Sequence, residues 1–258
     1  MTQTSKDPPR LEQSIHEVTS RLAEMGRDGD LSTPVGDWTA HEHLAHVSLA
    51  QAYFARWVSG DLVDYPGNEA VRTSLPQRSG ADLAEELLEN TEEFLAAWYA
   101  NLSEARPHPG FGMLPLIGRE WGPYSLCHLL LHACLMADVF GHPPVLRPAY
   151  VPLTLPFLWA AIPAMSKREV AERLGGLLVI DLGAAAPRFG IRMAEAGVSI
   201  EHAPSADADC VLSTDPATFF RVSWGLLSQT YAMERGLLIV SGARPELGVA
   251  YKEFFISP

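Results

Sequence analysis

A chain of 258 residues exceeds the usual domain of ~100–200 residues, so two domains are expected, and 47% hydrophobic against 19% charged side chains lets each half bury a core. A formal charge of -12 at pH 7 excludes the basic face that phosphate contacts demand, with 20 acidic and 10 basic residues in 1–150 and 11 and 9 in 151–258, so nucleic acid is not an expected partner. No uninterrupted apolar run of ~18 residues occurs and the N-terminus lacks an apolar signal core. Cys127, Cys134 and Cys210 form no C-x-x-C pair, and these features together predict a cytoplasmic protein that does not engage a membrane.

Residues 9–26 place Leu11, Ile15, Val18, Leu22 and Met25 at steps of three and four, which predicts an amphipathic helix stopped by Gly26. A turn after Pro34 and Gly36 and a polar cap open the next helix, whose stripe is Leu44, Val47, Ala50 and Phe54, with His46 on its flank. A third helix over about 81–102 turns Leu83, Leu87, Phe94, Leu95 and Trp98 inward. Its Glu85, Glu86, Glu89, Glu92 and Glu93 form a solvated face. The fourth, from about Ser125 to Phe140, is apolar nearly all round and carries His128 and His132. Four such helices predict an antiparallel bundle, the setting in which metal sites form from inward-facing side chains.

His128 and His132 stand one helical turn apart on one face, and two neutral imidazoles there can grip one divalent ion at ~2.0–2.1 Å. His46 supplies a third ligand from another helix and leaves one position open, as a catalytic metal requires. His41 and His43 are assigned to the solvated side of the second helix, with His43 as an alternative support for a ligand. Cys127 is next to His128 and so points ~100° away from it on a helix; both Cys127 and Cys134 are read as core residues. Arg119, ahead of the fourth helix, is a candidate for binding a substrate carboxylate bidentately.

Six prolines between Gly141 and Pro163 interrupt the pattern, so 1–145 is taken as the bundle, 146–165 as a connection with a short helix near Phe157, and 166–258 as a second domain. Strand-like runs follow at 177–182, 189–193, 198–202 and 210–213, then a helix capped by Asp215 with Pro216 at its first turn. A last strand at 237–242 and a closing helix from Pro245 to Phe255 complete an α+β domain of antiparallel strands. Arg221, near Trp224, is a second candidate anchor for an anionic substrate at a domain interface.

The run Trp38-Thr-Ala-His-Glu-His-Leu-Ala-His46 resembles the W-T-x-x-x-x-x-x-H metal motif of the mycothiol-dependent maleylpyruvate isomerase and DinB-like metalloenzyme family. The pair His128/His132, followed by Val139-Phe-Gly-His-Pro-Pro, resembles the same family. The stretch Asp209-Cys-Val-Leu-Ser-Thr-Asp-Pro-Ala-Thr-Phe-Phe with Gly236-Leu-Leu-Ile-Val-Ser-Gly looks like a sterol-carrier-protein type domain. The resemblance implies a DinB-like four-helix bundle followed by a sterol-carrier-protein-like domain, with His46, His128 and His132 as ligands. It also implies a thiol S-transferase or thiol-dependent isomerase acting on a small electrophilic metabolite as monomer or homodimer.

The expected cofactors are a divalent metal, zinc first although nickel, iron and manganese also accept imidazole, and mycothiol or another low-molecular-weight thiol. His128 stands where the maleylpyruvate isomerases carry Glu, a departure that points away from maleylpyruvate itself and toward the three-histidine thiol transferases. Leu135 departs where many relatives carry Asp. Two other readings stay open. One is a thiol-free metalloenzyme performing a cyclisation or elimination; the other is a non-catalytic carrier of an apolar ligand, suggested by the apolar run 151–163.

Overall fold

The computed structural model describes residues 10–74, 78–109, 114–205 and 207–254, and the chain divides into two compact units, Met1–Leu146 and Arg147–Pro258. In the first unit α1 (Leu11–Asp28), α2 (Ala40–Val58), α4 (Gly80–Ala100) and α5 (Gly118–Phe140) form the bundle, with a short α3 (Gly67–Ser74) after α2. The helices pack in a ring, α1 on α4 and α5, and α2 on α4 and α5. The predicted stripes are the buried ones: Ile15, Val18, Leu22 and Met25 from α1, Leu44, Val47, Ala50 and Phe54 from α2, and Leu83, Leu87, Phe94, Leu95 and Trp98 from α4.

Two helix boundaries differ from expectation, and two short hairpins join the bundle. Gly26 does not stop α1 but lies inside it, buried, where a Cβ would stand 2.4 Å from Leu44 Cδ2, so it serves the close approach of α2. A hairpin of β1 (Pro34–Val35) and β2 (Trp38–Thr39) leads into α2, its turn begun by Gly36 at φ 63°. Thr39 then closes a capping box with Glu42: the Glu42 amide donates to Thr39 Oγ1 at 3.2 Å and the Thr39 amide to Glu42 Oε2 at 2.7 Å. A second hairpin, β3 (Ala105–His108) with β4 (Leu114–Ile117), precedes α5, which begins seven residues before the expected Ser125. The Ile117 amide donates to Glu120 Oε2 at 2.8 Å, and Pro123 is accommodated in the second turn among buried neighbours.

In the second unit the proline-rich stretch is mostly helix, α6 (Val151–Met165), with Pro152 in its first turn. After α7 (Arg168–Leu174) a five-stranded sheet assembles in the order β7 (Gly197–Glu201), β6 (Phe189–Ala194), β5 (Gly176–Asp181), β8 (Cys210–Thr214), β9 (Leu238–Ser241). The expectation of antiparallel strands fails at one pair: β8 lies parallel to β5, because the chain leaves the β5–β6–β7 meander and returns to the opposite side of β5. Asp215 caps α8 (Pro216–Ser223) as expected, accepting from the amides of Ala217 and Thr218 at 2.9 and 3.0 Å. Then come α9 (Gln229–Glu234) and α10 (Pro245–Val249). Arg244 donates to the carbonyls of Gly175 and Leu174, and Asp209 accepts the Leu177 amide, fixing the start of the sheet's central strand.

Among the described residues, two stretches are long and apolar enough to cross a membrane, Gly118–Phe140, of whose most apolar window 67% is buried, and Pro148–Met165, 44% buried.

Candidate metal centre

Four imidazoles meet between α2 and α5. His43 and His46 sit one turn apart on α2, and His128 and His132 one turn apart on α5. His46 Nε2 lies 3.1 Å from His128 Nε2. The rings of His132, His46 and His128 have centroids 4.7–5.1 Å apart, and one ligand nitrogen from each falls within 4.8 Å of the others. Two nitrogens bound at ~2.0–2.1 Å to one tetrahedral ion stand roughly 3.3 Å apart, close to the observed His46–His128 separation. The donor set therefore fits a divalent ion that takes imidazole.

The surroundings hold the rings neutral. Burial lowers His46 to about 4, with the neighbouring His43 adding to the effect, and lowers His128 and His132 well below the ordinary histidine value. A neutral imidazole is the form that binds a metal. His128 Nδ1 is buried without a hydrogen-bond partner among the described residues. Phe54 and Tyr124 stand beside the His128 ring, at 5.4 and 6.2 Å between centroids, and Trp38 meets His43 and His46, each at 5.1 Å.

Two further side chains take part, His43, held in the sequence reading only as an alternative support, and Tyr65, absent from it. His43, assigned to solvent, is only 7% exposed: its three-residue spacing from His46 turns it inward, where Nε2 meets the Val35 carbonyl at 3.0 Å and Nδ1 meets His132 Nδ1 at 2.9 Å. That spacing was the available clue. Tyr65, in the segment between α2 and α3, places its hydroxyl 2.9 Å from His46 Nδ1. Trp57 Nε1 donates to the Val63 carbonyl at 2.7 Å and anchors that segment; nothing in the spacing of Tyr65 announced it. His41 is half-buried, its Nε2 2.9 Å from the Arg78 carbonyl oxygen. Cys127 and Cys134 are buried, and neither belongs to the cluster.

Arg119 lies in the first turn of α5 rather than ahead of it and is exposed. Nine residues separate it from His128, about 14 Å along the helix. Arg221 is half-buried on α8 in the second unit.

The fold is that of a DinB-like helical bundle followed by a sterol-carrier-protein type α+β domain. Residues 159–253 match the SCP-2 sterol transfer family. Among solved structures, the mycothiol-dependent maleylpyruvate isomerase is similar at a TM-score of 0.54 and 16% identity, over 90% of this chain and 93% of that one. A histidine-to-alanine mutant of the mycothiol-dependent maleylpyruvate isomerase aligns at 0.53 with the same identity and coverage. A sec-alkylsulfatase from Pseudomonas sp. aligns at 0.35 with 11% identity, over 85% of this chain and 44% of its own. Comparison with curated protein sequences yields no match. At the level of fold, the resemblance read from the sequence holds in both halves.

Proposed function

We propose that this chain is a divalent-metal-dependent enzyme that uses a low-molecular-weight thiol, mycothiol first, to transfer to or isomerise a small electrophilic metabolite in the cytoplasm. The observation that carries the reading is the convergence of His46, His128 and His132, one ring nitrogen of each within 4.8 Å of the others and the His46 and His128 Nε2 atoms 3.1 Å apart, in surroundings that keep all three neutral. Its second support is the fold shared with the mycothiol-dependent maleylpyruvate isomerase. His128 in place of glutamate makes the donor set neutral, which favours a thiol transferase over maleylpyruvate isomerisation.

A divalent ion held there would supply Lewis acidity, favouring the deprotonated form of a thiol or water near pH 7. The chain's own residues do the rest. His46, His128 and His132 present nitrogen lone pairs from two helices. For His46 to offer Nε2, its Nδ1–H donates to the Tyr65 oxygen, which frees the Tyr65 hydroxyl proton for another acceptor. Burial pushes the Tyr65 hydroxyl pKa up, so this residue holds its proton at neutral pH. Trp38 and Phe54 border the rings and limit water. Arg119 and Arg221 are proposed anchors for an anionic part of the substrate. From its place along α5, Arg119 serves only a group remote from the histidines, so Arg119→Ala raises KM while leaving kcat nearly unchanged.

The test is elemental analysis of protein purified without chelator, followed by a thiol panel on the cobalt-substituted form. About one metal per chain is expected, with a spectral change on adding mycothiol near pH 7 that His128→Ala abolishes. A protein that stays metal-free after reconstitution sinks the reading. Turnover without any thiol effect on the cobalt spectrum shifts it to a thiol-free metalloenzyme. The SCP-2 match favours a second role, apolar-ligand binding by the second unit, tested by titration with a fluorescent fatty acid.

A further inference from the structure

His43 has no place among the three ligands, yet its two ring nitrogens are both engaged in the buried centre, and the argument that follows rests on the metal reading above. Its Nε2 is 3.0 Å from the Val35 carbonyl oxygen, which can only accept. His43 therefore carries its proton on Nε2. The ring is only 7% exposed, an environment that disfavours a charged imidazolium, so Nδ1 bears a lone pair. The atom 2.9 Å from that lone pair is His132 Nδ1. Two accepting nitrogens cannot share a hydrogen bond, so the His132 proton must sit on Nδ1, leaving Nε2 as the nitrogen His132 can offer to the centre. The reverse arrangement would set a lone pair of His43 against the Val35 carbonyl oxygen inside the protein, with neither group satisfied.

We propose that His43 is a positioning residue that fixes the tautomer of His132, through a chain running from the Val35 carbonyl to His43 and on to His132, so that His132 Nε2 is unprotonated and ready for the metal. The chain is anchored in backbone. Val35 pairs with Trp38 across the β1–β2 hairpin, and that hairpin runs directly into the capped first turn of α2, which carries His43. Of the three proposed ligands, His132 is the one whose tautomer the fold dictates. The partner of His46 Nδ1 is the Tyr65 hydroxyl, able to donate or accept, and His128 Nδ1 has no partner among the described residues.

The experiment uses the full chain with 15N-labelled histidine, metal-free in chelator at neutral pH, with two-bond proton–nitrogen spectra reporting each tautomer. The wild type should show His132 protonated at Nδ1 and His43 at Nε2. In His43→Gln the amide can still accept from His132 and donate to Val35, so the His132 tautomer persists; in His43→Leu it shifts toward Nε2. Zinc affinity, measured by competition with a chromogenic chelator, should fall roughly 10–100-fold in His43→Leu and stay within about threefold of wild type in His43→Gln. A buried residue needed only for packing would leave the His132 spectrum unmoved in His43→Leu. Metal-free wild type with His132 protonated at Nε2 overturns the proposal, as does His43→Leu binding zinc as tightly as wild type. If His43→Leu does not fold, the wild-type spectrum and His43→Gln still decide. A wild type that shows the expected tautomers but binds no zinc upholds the proton placement and overturns the metal reading instead.

Discussion

His128 is the worst served of the four clustered imidazoles. Its Nδ1 is buried without a partner among the described residues, and its Nε2 faces the Nε2 of His46 at 3.1 Å, so the ring's single proton settles one nitrogen at most. A buried polar group left without a partner costs ≈ 1–3 kcal/mol, and an apolar side chain of similar size removes that cost. His128→Leu should therefore raise the stability of the metal-free protein by about 1 kcal/mol. The same change should abolish the added stability that zinc gives the wild type, since a ligand stabilises only the state that binds it. Urea midpoints with chelator and with excess zinc measure both effects. A metal-free His128→Leu that unfolds at lower urea than wild type would mean the imidazole is satisfied as it stands. The step of four from His128 to His132 was plain in the sequence, as was His46 in its motif. Tyr65 was not, because its closeness to His46 depends on how the chain turns after α2.

Close helix contacts explain why some boundaries were legible and others were not. The apolar stripes of α1, α2 and α4 repeat at helical spacing and were read correctly, because side-chain periodicity is a local property. The start of α5 lies ahead of the expected Ser125, across Gly118, Gly122 and Pro123, residue types of poor helix propensity. At Gly122 a Cβ would lie 2.5 Å from Trp98 Cζ2, and Trp98 is held by its Nε1, which donates to the Gly118 carbonyl at 2.8 Å. These glycines let α5 press against α4. Gly122→Ala should destabilise the first unit by about 1–3 kcal/mol despite alanine's better helix propensity, as overpacking does. A denaturation midpoint equal to or above wild type would show that Trp98 yields without cost. The β3–β4 hairpin was missed for a related reason: Pro107 and Pro115 lie inside its strands, and proline argues against a strand unless the pairing partner is known.

Across the whole molecule, acid acts on the two units unequally. His43, His46, His108, His128 and His132 all have lowered pKa values with burial as the leading cause, and all belong to the first unit. The second unit has a single histidine, His202, which is exposed. An unfolded histidine takes its proton near pH ~6.5, whereas the folded chain resists until about 4 at His46 and about 3 at His108. Between those values the unfolded state binds more protons, so stability is full above pH ~6.5 and falls as the pH drops toward 4. Hydrogen exchange followed by mass spectrometry from pH 7.5 to 4.5 should show the first unit losing protection before the second, with zinc opposing the loss at the upper end. Equal loss in both units would remove the histidines as the cause.

The sequence alone determined what depends on neighbours along the chain: three amphipathic helices and a fourth apolar nearly all round, the strand-like runs of the second half, the Asp215 cap, and the two helical faces carrying His46 and the His128/His132 pair. The tertiary structure decided what depends on residues far apart in the chain. It made β8 parallel to β5, turned Gly26 into a contact point instead of a helix end, set Gly118 and Gly122 at close contacts of α5, and brought His43 from presumed solvent to within 2.9 Å of His132. Helical spacing restricts which residues share a face, but the face opposite it is chosen by packing between helices. The partner of each buried nitrogen, and so its tautomer and charge, is fixed only when α2 and α5 meet.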